Sequence, residues 1–125
     1  MSRSILLVPS VAKGNGSGHI LRCLSLARAL GSGASVYIPE TSSESIPTVG
    51  TGACWGAAEL SLAYAREFSG LSILSVLPPA TRRGAWELIV LDRRATGAVE
   101  LAFWERYAPV LSIDEGGEAR ELAQA

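Results

Sequence analysis

The sequence predicts an α/β fold in which a doubly wound parallel sheet of about five strands carries helices on both faces. Apolar runs typical of strands alternate along the chain with segments of helical periodicity, a pattern that implies right-handed crossovers. The first run, Ile5 to Val8, is apolar throughout, which is typical of a strand covered on both faces. With 125 residues, the chain has the length of one globular domain.

The first predicted strand ends at Pro9, and a helix is predicted from His19 to Leu30. Gly31 and Gly33 follow this segment and predict its end. Apolar side chains recur in the segment at the spacing of one helix face: Ile20, Cys23, Leu24, Ala27 and Leu30.

The middle of the chain predicts a strand, a loop and a helix. Ser35 to Ile38 is the second predicted strand, and the stretch from Glu40 to Gly52 is rich in turn-forming residues, which favours an irregular loop. Gly56 to Phe68 predicts the second helix, which Gly70 ends. Its core-facing side chains are predicted to be Ala57, Leu60, Tyr64 and Phe68.

The last part of the chain predicts three strands and one helix. The strands are Leu71 to Leu77, Leu88 to Asp92 and Val110 to Asp114. A helix capped by Thr96 is predicted between the last two strands. Its buried face is predicted to carry Val99, Phe103 and Tyr107.

Composition argues against several classes of partner. Eleven basic residues stand against twelve acidic ones, so no cationic surplus is available for binding a nucleic-acid backbone. The apolar runs are far shorter than the roughly 20 residues of a transmembrane helix. The apolar stretch after Arg3 ends at Pro9, too early for the core of a signal peptide, and we therefore expect a cytoplasmic protein.

The cysteines predict no metal site. Cys23 and Cys54 fit no zinc-binding spacing, and His19 alone would not complete a Cys/His ligand set with them. Both cysteines are predicted to be buried thiols.

A glycine-rich stretch lies where the first strand gives way to the first helix. It consists of Gly14, Asn15, Gly16, Ser17 and Gly18. Glycines let the backbone approach a ligand closely, and the free N–H groups at a helix start attract anions, phosphates above all. The alternative is that these glycines only make a tight turn.

Four side chains are candidates for the chemistry of a crevice at this edge. His19 is the only histidine, and the positive helix end favours its neutral form, which can act as a general base or bind a sugar or phosphate oxygen. Arg22, one turn later, suits a carboxylate or phosphate. Asp92 and Asp114 end strands at the same edge. Capping, turn or solvated roles stay open for all four.

Gly16 to Ala27 resembles the G-x-G-H-x-x-R-x-L-x-L-A signature of the spore-coat polysaccharide biosynthesis glycosyltransferase-like family. Leu91 to Arg94 and Ser112 to Gly117 are similar to the way in which the first domain of such proteins ends. The resemblance implies that residues 1–117 form a Rossmann-like domain, the N-terminal half of a GT-B fold. Residues 118–125 would then begin a linker helix to a second domain.

The resemblance also implies a function. It implies glycosyl transfer from a UDP-type nucleotide sugar, or hydrolysis of that sugar nucleotide, in surface polysaccharide biosynthesis. His19 would activate the nucleophile, and no metal or other cofactor is implied. The partners would be the nucleotide-sugar donor and a C-terminal domain or partner chain.

Two other functions remain open on the residues alone. Glu40 follows the glycines by roughly 20 residues, as in a dinucleotide-binding module, but the order G-x-G-x-G-H departs from that fingerprint. No Gly-Lys-Ser or Gly-Lys-Thr follows the glycines, which argues against a Walker loop. The other possibility is a non-catalytic remnant or interaction domain that forms a homo-oligomer.

Overall fold

The computed structural model describes residues 4–11, 18–39, 55–75, 86–92 and 98–113. The predictions that lie outside these ranges concern Gly14, Asn15, Gly16, Ser17, the loop from Glu40 to Gly52, Cys54, the last residues of the third strand, Thr96, Asp114 and residues 118–125.

The described strands form one five-stranded parallel sheet. They are β1 (Ile5–Pro9), β2 (Ala34–Tyr37), β3 (Ser72–Leu74), β4 (Leu88–Asp92) and β5 (Val110–Ile113). The strands are ordered β3-β2-β1-β4-β5, so β1 lies at the centre and β3 and β5 lie at the edges. The predicted α/β fold with a parallel sheet is therefore confirmed.

Four helices connect the strands within the described ranges: α1 (Gly18–Leu30), α2 (Ala57–Ala63), α3 (Ala65–Phe68) and α4 (Ala98–Glu105). Helix α1 ends as predicted. Gly31 has a φ of +86°, in the left-handed region that glycine adopts at little cost, and its N–H donates to the carbonyl of Ala27 at 3.0 Å.

The second predicted helix is interrupted. Tyr64, with φ −126° and ψ 43°, separates α2 from α3, although its N–H still donates to the carbonyl of Leu60 at 2.8 Å. The interruption leaves Leu60 fully buried, while Tyr64 and Phe68 are only partly buried against the same core. The core-facing pattern is thus as predicted, although the helix is not continuous.

Each face of the sheet packs against its own helices. On one face, Leu7, Val36 and Val90 of the strands meet buried side chains of α1 and α2. On the other face, alternate strand residues, among them Leu6 and Leu91, meet α4. Helices therefore cover both faces, as the apolar character of the central strands predicts.

The buried face of α4 differs from the predicted one. Val99 is 72% exposed, whereas Leu101 and Trp104 are buried. The helix carries two adjacent apolar stripes, and the stripe with the large Trp104 faces the sheet. Phe103 and Tyr107 remain beside it, partly buried, with the Phe103 ring edge-on to Trp104 at 5.0 Å.

Candidate functional site

The candidate site lies at the carboxyl edge of the sheet, between β1 and β4. These strands are paired to their last residues, Pro9 with Asp92, and the N–H of Ser10 donates to the carbonyl of Asp92 at 2.8 Å. The strand order reverses at this seam, because β1 is followed in space by β2 on one side and by β4 on the other. In doubly wound folds the crevice at such a switch point is the usual ligand site.

Asp92 is the centre of a polar cluster at this seam. Its side chain is 1% exposed. Oδ1 of this carboxylate lies 2.7 Å from Nδ1 of His19. The carboxylate also accepts two hydrogen bonds from Arg22. Nε donates to Oδ2 at 2.7 Å, and Nη2 donates to Oδ1. Two candidate side chains, His19 and Arg22, thus meet at the carboxylate of a third candidate, Asp92.

The sequence of α1 explains why its side chains converge on one strand end. His19, Arg22 and Cys23 are three and four positions apart, so they share one side of the helix. The Sγ of Cys23 lies 3.8 Å from Oδ2 of Asp92, a weak thiol contact, and Cys23 is 1% exposed, as predicted for a buried thiol.

The hydrogen-bond pattern assigns the protons of the cluster. An ionised carboxylate only accepts, and the two N–H groups of Arg22 only donate, so Nδ1 of His19 carries the proton that it shares with Asp92. The 3.4 Å separation between Nη2 of Arg22 and Nδ1 is then a contact between two donors directed at the same oxygen. In the neutral ring the lone pair lies on Nε2, and no described residue is hydrogen-bonded to this atom.

The cluster is largely shielded from solvent on its histidine and aspartate side. The side chain of His19 is 10% exposed, whereas that of Arg22 is 53% exposed. The ring is therefore largely enclosed, and it lies beside the Asp92 carboxylate and the Arg22 guanidinium. An imidazole held in this way has a fixed orientation.

A second carboxylate near this edge is missing from the sequence-based predictions. Glu100 lies in the first turn of α4, and it is 2% exposed. A carboxylate is stabilised at that end of a helix by the helix dipole. A signal was available in the spacing, because Glu100 lies one helical turn before Trp104, a large apolar residue, and shares its side of the helix.

The other predicted site residues are not part of the described cluster. Gly18 is the first residue of α1 and is exposed, and it leaves room for a Cβ. The predicted roles of Gly14, Asn15, Gly16, Ser17 and Asp114 lie outside the described residues and stay predictions.

A groove among the described residues lies apart from the Asp92 cluster. This groove of about 610 Å³ between α1 and α3 is lined by Arg28 and Glu67, among others, but by no member of the Asp92 cluster. Within the described ranges, no group of three or more His, Cys, Asp or Glu side chains is placed to hold a metal ion. No helix in the described part of the chain has the length and apolarity needed to cross a membrane.

Comparison of the chain with models of protein families, with curated proteins and with solved structures finds no match.

Proposed function

We propose that this chain takes part in nucleotide-sugar chemistry, as the domain that carries the general base for glycosyl transfer to an acceptor hydroxyl or to water. The observation that supports this best is the 2.7 Å contact between Nδ1 of His19 and the buried carboxylate of Asp92, at the switch point of the sheet. A carboxylate that orients an imidazole is the arrangement by which enzymes make histidine an effective base.

The proposed reaction is a direct displacement at the anomeric carbon of a UDP-type sugar. Nε2 of His19 takes the proton of the attacking hydroxyl or water, whose oxygen forms the new bond to that carbon. The bond between the anomeric carbon and the diphosphate oxygen breaks, and the diphosphate leaves with the electron pair. Free backbone N–H groups at the start of α1, which begins at Gly18, are suited to stabilise the charge on the diphosphate.

The resemblance of Gly16 to Ala27 to the spore-coat polysaccharide biosynthesis family supports the same assignment. In that signature the histidine and the arginine stand three residues apart, as His19 and Arg22 do. The proposal for substrate class, and for a role in surface polysaccharide synthesis, rests on this resemblance. The proposal for a base rests on the geometry around Asp92.

Binding is tested by titrating the chain with UDP and a panel of UDP-sugars while its backbone amide signals are followed by NMR. We expect saturable shifts at Gly18, His19 and Arg22, and unchanged signals at Arg28, which lies on α1 away from Asp92. If no UDP compound shifts the signals around His19, the proposed substrate class is wrong.

Catalysis is tested by measuring release of UDP from UDP-sugars by the protein. We expect His19→Gln to lower turnover by about 10²- to 10⁴-fold, the range typical of losing a general base. The matched control is Arg28→Gln, because the Arg28 guanidinium donates to the carbonyls of Glu67 and Ser69 and not to Asp92 among the described residues. Turnover that is unchanged in His19→Gln would remove His19 as the base.

A dinucleotide-binding module is the second candidate function, and the strand order favours it. The order β3-β2-β1-β4-β5 is the one that dinucleotide-binding folds use. NADH therefore forms the second arm of the binding titration. Tight NADH binding with no response to UDP compounds would replace the nucleotide-sugar proposal.

A further inference from the structure

Arg22 makes two of the hydrogen bonds to Asp92, although the proposed reaction assigns it no step. We propose that Arg22 is a positioning residue: it clamps and neutralises the Asp92 carboxylate, and thereby holds His19 in the form that is protonated on Nδ1 and free to accept on Nε2. This inference rests on the proposed role of His19 as the base.

The geometry of the clamp is the first argument. Nε of Arg22 donates to Oδ2 and Nη2 donates to Oδ1, so the guanidinium grips both oxygens of the carboxylate side by side. A paired contact of this kind fixes the plane of the carboxylate, which a single donor does not. Oδ1 is the oxygen that faces Nδ1 of His19, so the clamp also sets the direction of the bond to the ring.

The charge of the clamp is the second argument. A carboxylate with 1% exposure is poorly solvated and needs a positive partner. Arg22 supplies that partner permanently, because a guanidinium does not lose its proton in proteins. The guanidinium thereby balances the charge of the carboxylate without a second proton on the ring. A doubly protonated ring has no lone pair and is not a base.

The position of Arg22 is the third argument. The His19 side chain is largely shielded, while that of Arg22 is about half exposed and approaches from one turn further along α1. The arginine is thus the more solvent-exposed of the two side chains that contact the carboxylate. Both neighbours of the carboxylate are supplied by the same helix, which keeps their relative positions fixed.

The test uses nitrogen NMR of the free chain at neutral pH with no substrate. His19 is the only histidine, so its two ring nitrogens give unambiguous signals. We expect the wild-type ring to be protonated on Nδ1 and unprotonated on Nε2. A ring protonated mainly on Nε2 alone, or on both nitrogens, would overturn the proposal without any variant.

Arg22→Gln is the deciding variant, and the exposure of Arg22 makes it compatible with folding. We expect the signals of both ring nitrogens to move toward those of a doubly protonated ring, or toward a mixture of the two neutral forms. Arg22→Lys keeps the charge but not the paired donors, so we expect it to restore the wild-type signals in part. The control, Arg28→Gln, removes the same charge from α1 and should leave the signals unchanged. Unchanged signals in Arg22→Gln would overturn the positioning role.

Failure of the positioning role of Arg22 is distinguishable from failure of the proposed function. If the ring responds to Arg22→Gln but no UDP-sugar is bound or turned over, the positioning role stands and the substrate class is wrong. If turnover depends on His19 while Arg22→Gln leaves the ring signals unchanged, the base stands and the positioning role is wrong.

Discussion

At the scale of single residues, the cost of burying a charge is the main consideration at Asp92. The carboxylate is almost fully removed from solvent, yet it lies beside an arginine, a histidine and a thiol that can all donate to it. Burial of an isolated carboxylate is strongly unfavourable, and the cost falls when charged donors replace water. The same contacts join α1 to β4, so the cluster contributes to stability.

The contribution to stability is predicted to be shared between Arg22 and Asp92. We expect Arg22→Gln and Asp92→Asn each to lower the free energy of unfolding, and the double variant to lose less than the sum, with a coupling of about 1–2 kcal/mol. The value is below that of a fully buried pair because the Arg22 side chain is 53% exposed. Urea unfolding of the wild type, the two single variants and the double variant measures this coupling energy. Additive losses would mean that the pair contributes no stability of its own.

The sequence alone offers His19, Arg22 and Asp92 as candidates for one crevice but does not predict how they meet. His19 and Arg22 are found from the glycine-rich turn and the helix period, and Asp92 from its place at a strand end. The sequence does not indicate that Arg22 would bind Asp92, because that contact joins positions 70 residues apart. Glu100 is missed because a carboxylate in a first helical turn is usually solvated.

At the scale of elements, strands are predicted more accurately than helix faces. β4 has the predicted bounds, and β1 differs from its prediction by one residue, because continuous apolar runs leave little choice of register. On α4 the period fits two stripes equally well, and only the fit of Trp104 to the sheet selects between them. The interruption between α2 and α3 at Tyr64 is not predictable from the sequence, because no glycine or proline lies there.

The orientation of α4 predicts unequal effects of two similar truncations. Leu101 is 5% exposed and Val99 is 72% exposed. We expect Leu101→Ala to lower the free energy of unfolding by about 2–4 kcal/mol, because it leaves a cavity against the sheet. Val99→Ala should change it by less than about 0.5 kcal/mol. Denaturant titrations of both variants measure these changes. A larger loss of unfolding free energy for Val99→Ala than for Leu101→Ala would favour the buried face predicted from the sequence.

At the scale of the whole molecule, the strand order concentrates burial at the centre of the sheet. β1 is paired on both sides, and its Leu6 and Leu7 are fully buried on opposite faces. β3 is an edge strand of three residues, none of them buried. The seam between β1 and β4, which carries Asp92, therefore lies in the part of the sheet with the most packing on both faces.

This distribution predicts a gradient of hydrogen exchange across the sheet. Opening β3 exposes little apolar surface, whereas opening β1 disrupts both cores, so we expect amides of β1 and β4 to exchange at least about tenfold more slowly than those of β3. Native-state exchange followed by NMR measures these rates, corrected for the intrinsic rate of each amide. Equal protection of β3 and β1 would show that the sheet opens as one unit. Slow exchange at the β1–β4 seam means that Asp92 is held on the most rigid strands, which is the condition for keeping an imidazole in one fixed orientation.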